Sequence, residues 1–181
     1  RRVKSQNNKI TAEVTPHHLF FNDISLMDYD TNLKVAPPIR SEEDRIALIS
    51  AVKDGTIDCI ATDHAPHRLE EKESTFDIAS CGMIGLESCF GAVNKVLCVD
   101  NNVKFEKVID SLTVKPRKIM NFDADLFSLD AEAEITVLDD KQEWEFSLKD
   151  IESKSVNSPF VGKLLIGKVL HTISKNFLAS I

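Results

Sequence analysis

Short β-prone apolar runs alternate with amphipathic segments along most of the chain. Residues 1 to 9 are polar and basic, like the tail of a helix entered midway. Ile10-Thr11-Ala12-Glu13-Val14-Thr15 is a β-prone run stopped by Pro16, and Leu33-Lys34-Val35-Ala36 is a second, stopped by Pro37-Pro38. Ser41 is placed to cap a helix: Glu42, Glu43 and Asp44 fill its first turn, Ile46, Ile49 and Val52 recur at helical spacing, and Gly55 stops it. Ile57 to Thr62 is expected to form a buried strand, followed by a polar loop to about Ser80 and an apolar helix from about Met83 to Leu97. Strands that alternate with helices imply a parallel α/β sheet with right-handed crossovers, and the sites of such folds lie at the strands' C-terminal ends.

After residue 122 the texture changes. Helical periodicity gives way to short strands expected over Ala133 to Leu138, Val161 to Leu165 and Lys168 to Ser174, with Gly167 in the turn between the last two. The charged stretch Asp139 to Lys154 reads as a solvated surface connection. The expected division is therefore an α/β portion, residues 1–122, and a small β portion, residues 123–181. The sequence shows no internal repeat and no low-complexity segment.

Composition narrows the function classes. The 181 residues are 43% hydrophobic, enough for one domain of ordinary size or for parts of two. With 22 basic and 29 acidic side chains the net charge is -7, the wrong sign for gripping a phosphate backbone, so no nucleic-acid partner is expected. No apolar run approaches the length that spans a bilayer, and no apolar segment follows the basic residues at the N-terminus; the expectation is a cytoplasmic protein without membrane contact. Cys59, Cys81, Cys89 and Cys98 form no CxxC pair, which indicates neither a disulfide framework nor a cysteine metal site.

The most informative string is Thr62-Asp63-His64-Ala65-Pro66-His67, at the C-terminal end of an expected buried strand. There a carboxylate can ligate a divalent metal and exchange a proton with metal-bound water, and an imidazole four residues on can reach a substrate oxyanion. An Asp followed by His at a strand end can equally cap the next turn and make structural hydrogen bonds. Taken as bare residues, the string leaves both readings open.

The string sits among others. Glu13-Val14-Thr15-Pro16-His17-His18-Leu19, Val35-Ala36-Pro37-Pro38-Ile39-Arg40, Gly82-Met83-Ile84-Gly85-Leu86-Glu87, Leu112-Thr113-Val114-Lys115-Pro116 and Asn157-Ser158-Pro159-Phe160-Val161-Gly162 accompany it. Together, in this order, they resemble the dihydroorotases of the amidohydrolase superfamily and cover nearly the whole chain. Hydantoinases and allantoinases look similar, but usually carry Cys-Pro-Phe or Ser-Pro-Cys where this chain has Ala65-Pro66-His67.

The resemblance implies part of a TIM-like (β/α)8 barrel, its last three βα units, plus part of a small C-terminal β-sandwich. It implies the reversible, zinc-dependent interconversion of N-carbamoyl-L-aspartate and L-dihydroorotate in pyrimidine biosynthesis, with one or two zinc ions as cofactor. By resemblance Asp63 is metal ligand and proton shuttle, His67 binds the substrate, and the backbone at Cys81 and Gly82 touches it. Two departures stand out. Ala36 occupies a position where the family usually has an Asn that holds the substrate, and Ser80-Cys81 replaces the usual Pro-Phe. Ala cannot hydrogen-bond through its side chain. Of the remaining histidines, His17, His18 and His64 read as supporting groups, and His171, alternating with Val169 and Ile173, as a packed core residue.

Family members also carry a His-x-His motif on the first barrel strand, a bridging carboxylated Lys or Asp, and two further His ligands from middle strands. None of these is within the 181 residues. A closed barrel takes about 250 residues, so the expected partners are a small-molecule substrate and an N-terminal half of the same enzyme, with a homodimer or an aspartate transcarbamoylase contact as further possibilities. Two rival readings remain: a non-catalytic dihydroorotase-like scaffold subunit, which Ala36 fits, and a related cyclic amidase of the hydantoinase type.

Overall fold

The computed structural model describes every residue except Asn8, Leu126, Asp130, Asn176 and Ile181. The N-terminal segment is helical over Arg2–Gln6 (α1), and Asn8 of that segment lies outside the described residues. Its basic side chains tie it to the turn after the third helix: Arg1 bonds Asp54 at 2.5 Å, and the Lys4 ammonium donates to Asp58 at 2.5 Å and to the Thr56 carbonyl at 2.9 Å.

Two short strands, β1 (Glu13–Val14) and β2 (Cys59–Ile60), pair in parallel, Glu13 beside Cys59 and Val14 beside Ile60. Between them run α2 (Pro16–Phe20) and α3 (Glu42–Asp54). Helix α2 starts where the Thr15 hydroxyl accepts the His18 N–H and Pro16 occupies the first turn, a position that needs no N–H. Helix α3 follows its sequence signals: Ser41 accepts the Asp44 N–H, and Gly55 closes the helix at φ 84°. Ile49 and Val52 are buried as the spacing requires, whereas Ile46 is 55% exposed.

Beyond β2 come a single turn, α4 (Leu69–Lys72), then α5 (Cys89–Val93), which continues through a π-helical turn, Asn94–Val99, and the pair α6 (Phe105–Leu112) and α7 (Val114–Ile119). The last third forms an antiparallel sheet in the order β3 (Glu134–Glu145), β4 (Leu164–Ser174), β5 (Phe177–Ser180). Among the described residues no helix is long and apolar enough to cross a membrane.

One apolar cluster lies under the parallel strands, with Val14, Ile60, Val52, Val93 and Leu97 among its members. A second joins Phe21, Leu33, Val35 and Met83 to Phe146, Phe160 and Leu165 from the last third of the chain. Phe20 packs against both clusters, and its ring centroid is 5.2 Å from that of Phe160. Phe146 and Phe160 are fully buried, and each contributes about 1.5–3 kcal/mol by leaving water. The parallel and antiparallel sheets therefore share packing.

Several expectations give way to the structure. Leu33-Lys34-Val35-Ala36 is not a strand: Thr31–Leu33 is a 3-10 turn capped by the Asp30 carboxylate, and the following residues bend past the site. The helix expected from Met83 begins only at Cys89, because Met83 runs extended beside His64. Val161 to Leu165 and Lys168 to Ser174 are not two strands with Gly167 turning between them. Strand β4 runs unbroken through Gly167, whose φ of 100° and missing side chain let Phe90 and Asn94 lie against it; a Cβ there would meet the Phe90 ring at 2.7 Å. Asp139 to Lys154 is not only a surface connection, since Asp139 to Glu145 complete β3 and Phe146 is core. His171 is exposed, not packed, and its Nδ1 lies 3.0 Å from the Ser180 hydroxyl.

Candidate active site

The parallel strands aim their C-terminal ends at one region. The Ala61 N–H donates to the Val14 carbonyl at 3.0 Å, which prolongs the β1–β2 pairing, and the chain then turns at Asp63, whose φ of 50° is left-handed. Asp tolerates that region better than most residues, because its short side chain is compatible with it. A third extended segment joins here: His64 bridges in parallel to Met83, and the Ala65 N–H donates to the Met83 carbonyl at 2.8 Å.

Asp63 is exposed and lines a cleft of about 440 Å³ together with Glu13, Thr15, His18, Ala36 and Arg40. The structure thus brings Asp63 and Ala36 into one cleft. His18 is committed elsewhere. A carbonyl only accepts, so the Nε2–H donates to Pro37 O at 3.0 Å, leaving Nδ1 to accept from the Thr15 hydroxyl at 2.7 Å. His17 is buried, with Nε2 unpartnered among the described residues, and burial together with neighbouring His18 lowers its pKa to about 3. His64 uses Nδ1 to accept the Gly85 N–H at 3.1 Å, which fixes its proton on Nε2 when the ring is neutral.

His67 lines a different cleft, of about 410 Å³, with Thr31, Arg68, Lys72, Ser155 and Asn157. Its Nε2–H donates to the Cys81 carbonyl at 2.9 Å, and its Nδ1 lies 3.5 Å from a Glu71 carboxylate oxygen. The same Glu71 accepts the Arg68 N–H at 2.8 Å, and that bond, with His67 nearby, holds its pKa below the usual carboxylate range. Gly82 packs directly beneath: at φ 133° it occupies backbone space in which a Cβ would stand 2.6 Å from the Ala65 Cβ and 3.0 Å from His67 Nε2. His67, Cys81 and Gly82 therefore form one unit.

The frame of that unit comes from the far end of the sequence. The Asn157 side chain accepts the His67 N–H at 3.2 Å and donates to the carbonyls of Ala65, at 3.1 Å, and Gly82, at 3.2 Å. Its own carbonyl accepts the Ile84 N–H at 3.0 Å, and Ser155 bonds the His67 carbonyl. Sequence reasoning included Asn157 in a matched string without giving it a task. It missed Lys72 altogether: this residue sits in the charged run Glu70-Glu71-Lys72-Glu73, yet is 4% exposed.

Among the described residues no three His, Cys, Asp or Glu side chains stand close enough to hold a metal. A catalytic zinc needs about three protein ligands. The described residues, with Asp63 the one carboxylate that the resemblance nominates, do not fit a complete metal site.

No family model matches the chain. It is 42% identical over 171 residues to the dihydroorotase of Elusimicrobium minutum, across 94% of this chain and 40% of that protein. Against the dihydroorotase of Thermoanaerobacter sp. the identity is 39% over 173 residues, across 96% and 40%, and against that of Staphylococcus epidermidis 39% over 175 residues, across 97% and 41%. The chain is a homologue of the dihydroorotases, matching their C-terminal region. It spans about two-fifths of the length of the curated dihydroorotases it matches. Among solved structures, an L-hydantoinase from Arthrobacter aurescens superposes with a TM-score of 0.84 at 21% identity, over 99% of this chain and 41% of that one. A D-hydantoinase from Thermus sp. superposes with a TM-score of 0.85 at 18% identity, over 99% and 41%. At such identities the likeness shows the fold alone. This dihydroorotase homologue therefore carries an α/β fold shared with hydantoinases over the same share of their chains.

Proposed function

We propose that the chain supplies the last three βα units of an amidohydrolase barrel, within residues 1–122, and part of its small β-sandwich, within residues 123–181, and that the complete protein interconverts N-carbamoyl-L-aspartate and L-dihydroorotate. The observation that carries this reading is the identity to dihydroorotases along 94% of the chain. The placement of Asp63 and His67 at the ends of the parallel strands supports it.

In this reading Asp63, exposed in its cleft, takes up and returns the proton of the attacking water. His67 presents an imidazole to a substrate oxygen, which requires the substrate to displace the Cys81 carbonyl from Nε2 or to approach Nδ1 in place of Glu71. Gly82 allows the chain to approach closely. Asp63 would contribute one ligand to a zinc ion completed by an N-terminal half with the His-x-His motif, and such an ion would supply Lewis-acid activation of the carbonyl and the water. Ala36 lines the Asp63 cleft with no hydrogen-bonding side chain, which favours a second reading, a non-catalytic dihydroorotase-like scaffold.

The test is to produce the chain with and without an N-terminal half bearing His-x-His, and to measure zinc content and dihydroorotate hydrolysis. Stoichiometric metal and turnover together in the joined protein, and neither in the single chain, are expected. Metal without turnover on dihydroorotate would favour the scaffold, and turnover of hydantoins in its place would favour the cyclic-amidase alternative.

A further inference from the structure

Lys72 is an unlikely residue to find in an interior. It is 4% exposed, and both hydrogen bonds of its ammonium among the described residues go to backbone carbonyls, Ser80 O at 2.7 Å and Gly82 O at 2.9 Å. Burying an ammonium costs several kcal/mol unless its donors are satisfied, and burial here lowers the pKa below the usual lysine range. An apolar side chain would fill the same space without that cost, so the charge calls for an explanation.

The two carbonyls flank Cys81. Around them the bonding of the turn is nearly saturated. The Gly82 N–H donates to Lys34 O at 2.8 Å, the Cys81 carbonyl accepts from His67, and the Gly82 carbonyl receives both Lys72 and Asn157. The Lys72 carbonyl in turn accepts the Thr31 hydroxyl at 2.7 Å, which ties α4 to the turn before Lys34. A hydroxyl could satisfy one carbonyl and a planar amide two in fixed directions; an ammonium carries three tetrahedral donors and holds two carbonyls that point toward a common centre with the added strength of its charge.

We propose that Lys72 is a positioning residue, which clamps the Ser80–Gly82 turn through its two carbonyls and so sets the backbone, and His67 beside it, in the orientation that receives substrate. This rests on the reading of the His67 unit as the substrate side of the site. Lys72 acts through Cys81, Gly82 and His67, and touches no reacting atom. The charge strengthens both bonds relative to neutral ones, so the turn stays ordered although Cys81 itself is exposed.

The experiment uses the complete protein, with Lys72→Met, which keeps length and apolar packing, and Lys72→Gln, which keeps an amide donor but loses the charge. Three readouts are taken: the rate of Cys81 alkylation by iodoacetamide, amide exchange of the segment from Ser80 to Ile84, and KM and kcat for dihydroorotate. Loss of charge-assisted bonding predicts that Lys72→Met raises KM by about tenfold or more with a smaller change in kcat, and speeds Cys81 alkylation and exchange several-fold, with Lys72→Gln between it and wild type. A merely structural lysine would lower the melting temperature and the active fraction without moving KM. Unchanged KM and alkylation in a folded Lys72→Met protein would overturn the clamp. If neither variant folds, wild-type Cys81 alkylation decides, since the Gly82 amide is held by Lys34 in either case: a rate well below that of a free cysteine peptide supports the clamp, and a rate equal to the peptide's refutes it. Absence of dihydroorotate turnover in the wild-type protein would refute the functional reading, while alkylation and exchange would still judge Lys72.

Discussion

The Asn157 side chain accepts the backbone N–H of His67 at 3.2 Å across 90 positions of sequence, and gives its own amide protons to Ala65 and Gly82. Replacing it by Ala leaves the His67 N–H and the Ala65 carbonyl without their partner, while the Gly82 carbonyl keeps Lys72. At roughly 1–3 kcal/mol for each polar group left unpaired in the interior, less what water recovers, Asn157→Ala is expected to destabilise the protein by about 2–4 kcal/mol. Urea unfolding of variant and wild type measures the difference, and a change below about 0.5 kcal/mol, the level of ordinary surface substitutions, would show that the frame is held by other contacts.

Asp63→Asn separates chemistry from fold. The left-handed φ of 50° suits Asn at least as well as Asp, so the melting temperature should stay within a few degrees of wild type. Turnover by the complete protein should fall by at least about 10³-fold, since the proton acceptor is gone. Near-normal rates would remove Asp63 from the reaction.

Gly82→Ala combines two penalties. A φ of 133° is a region side chains rarely adopt, and the new Cβ would meet Ala65 at 2.6 Å and His67 at 3.0 Å. Strain and overpacking of about 1–3 kcal/mol each predict a destabilised protein in which the His67–Cys81 bond is displaced. Wild-type stability together with wild-type KM would show that the close approach is dispensable.

His17 should make stability depend on pH. Burial, with His18 adding to it, lowers its pKa from 6.5 to about 3 in the folded chain. Between those values the unfolded state binds the extra proton and the folded state does not, so stability is complete above about pH 6.5 and falls as pH drops towards 3. Glu42, held at about 2 by its bonds to Arg45 and Asn22, acts only below about 4.5, which leaves the interval from 6.5 to 4.5 as the informative one. Unfolding free energy measured at pH 7, 6 and 5 should slope downward in wild type and flatten in His17→Gln; parallel profiles would acquit His17.

The legible parts of the sequence were those whose signals are local. Ser41, the acids after it and Gly55 bound α3 because capping acts within one turn. The strand before Asp63 was legible because its apolar run and the string after it agree. Met83 to Leu97 reads as one helix because most of its residues are buried, and periodicity cannot separate a buried extended segment from the start of a buried helix. Gly167 looked like a turn because the pressure of Phe90 and Asn94 against β4 comes from residues more than seventy positions away. Lys72 was hidden for the same reason: its neighbours in sequence are acids on the surface, and its carbonyl partners are known only once the turn is built.

The span of the frame around His67 also dictates an order of events during synthesis. Ser155 and Asn157 reach back 88, 90 and 92 positions to His67 and Ala65. At a ribosomal pace of about 5–20 residues per second, the strand-end loop leaves the exit tunnel roughly 5 to 20 s before the residues that anchor it. Closing so long a loop has an entropic cost that local contacts do not share, so the loop is assembled late. A nascent or truncated chain ending before Ser155 would keep the His67 ring bond to Cys81 but lack the side chains that hold the His67 backbone.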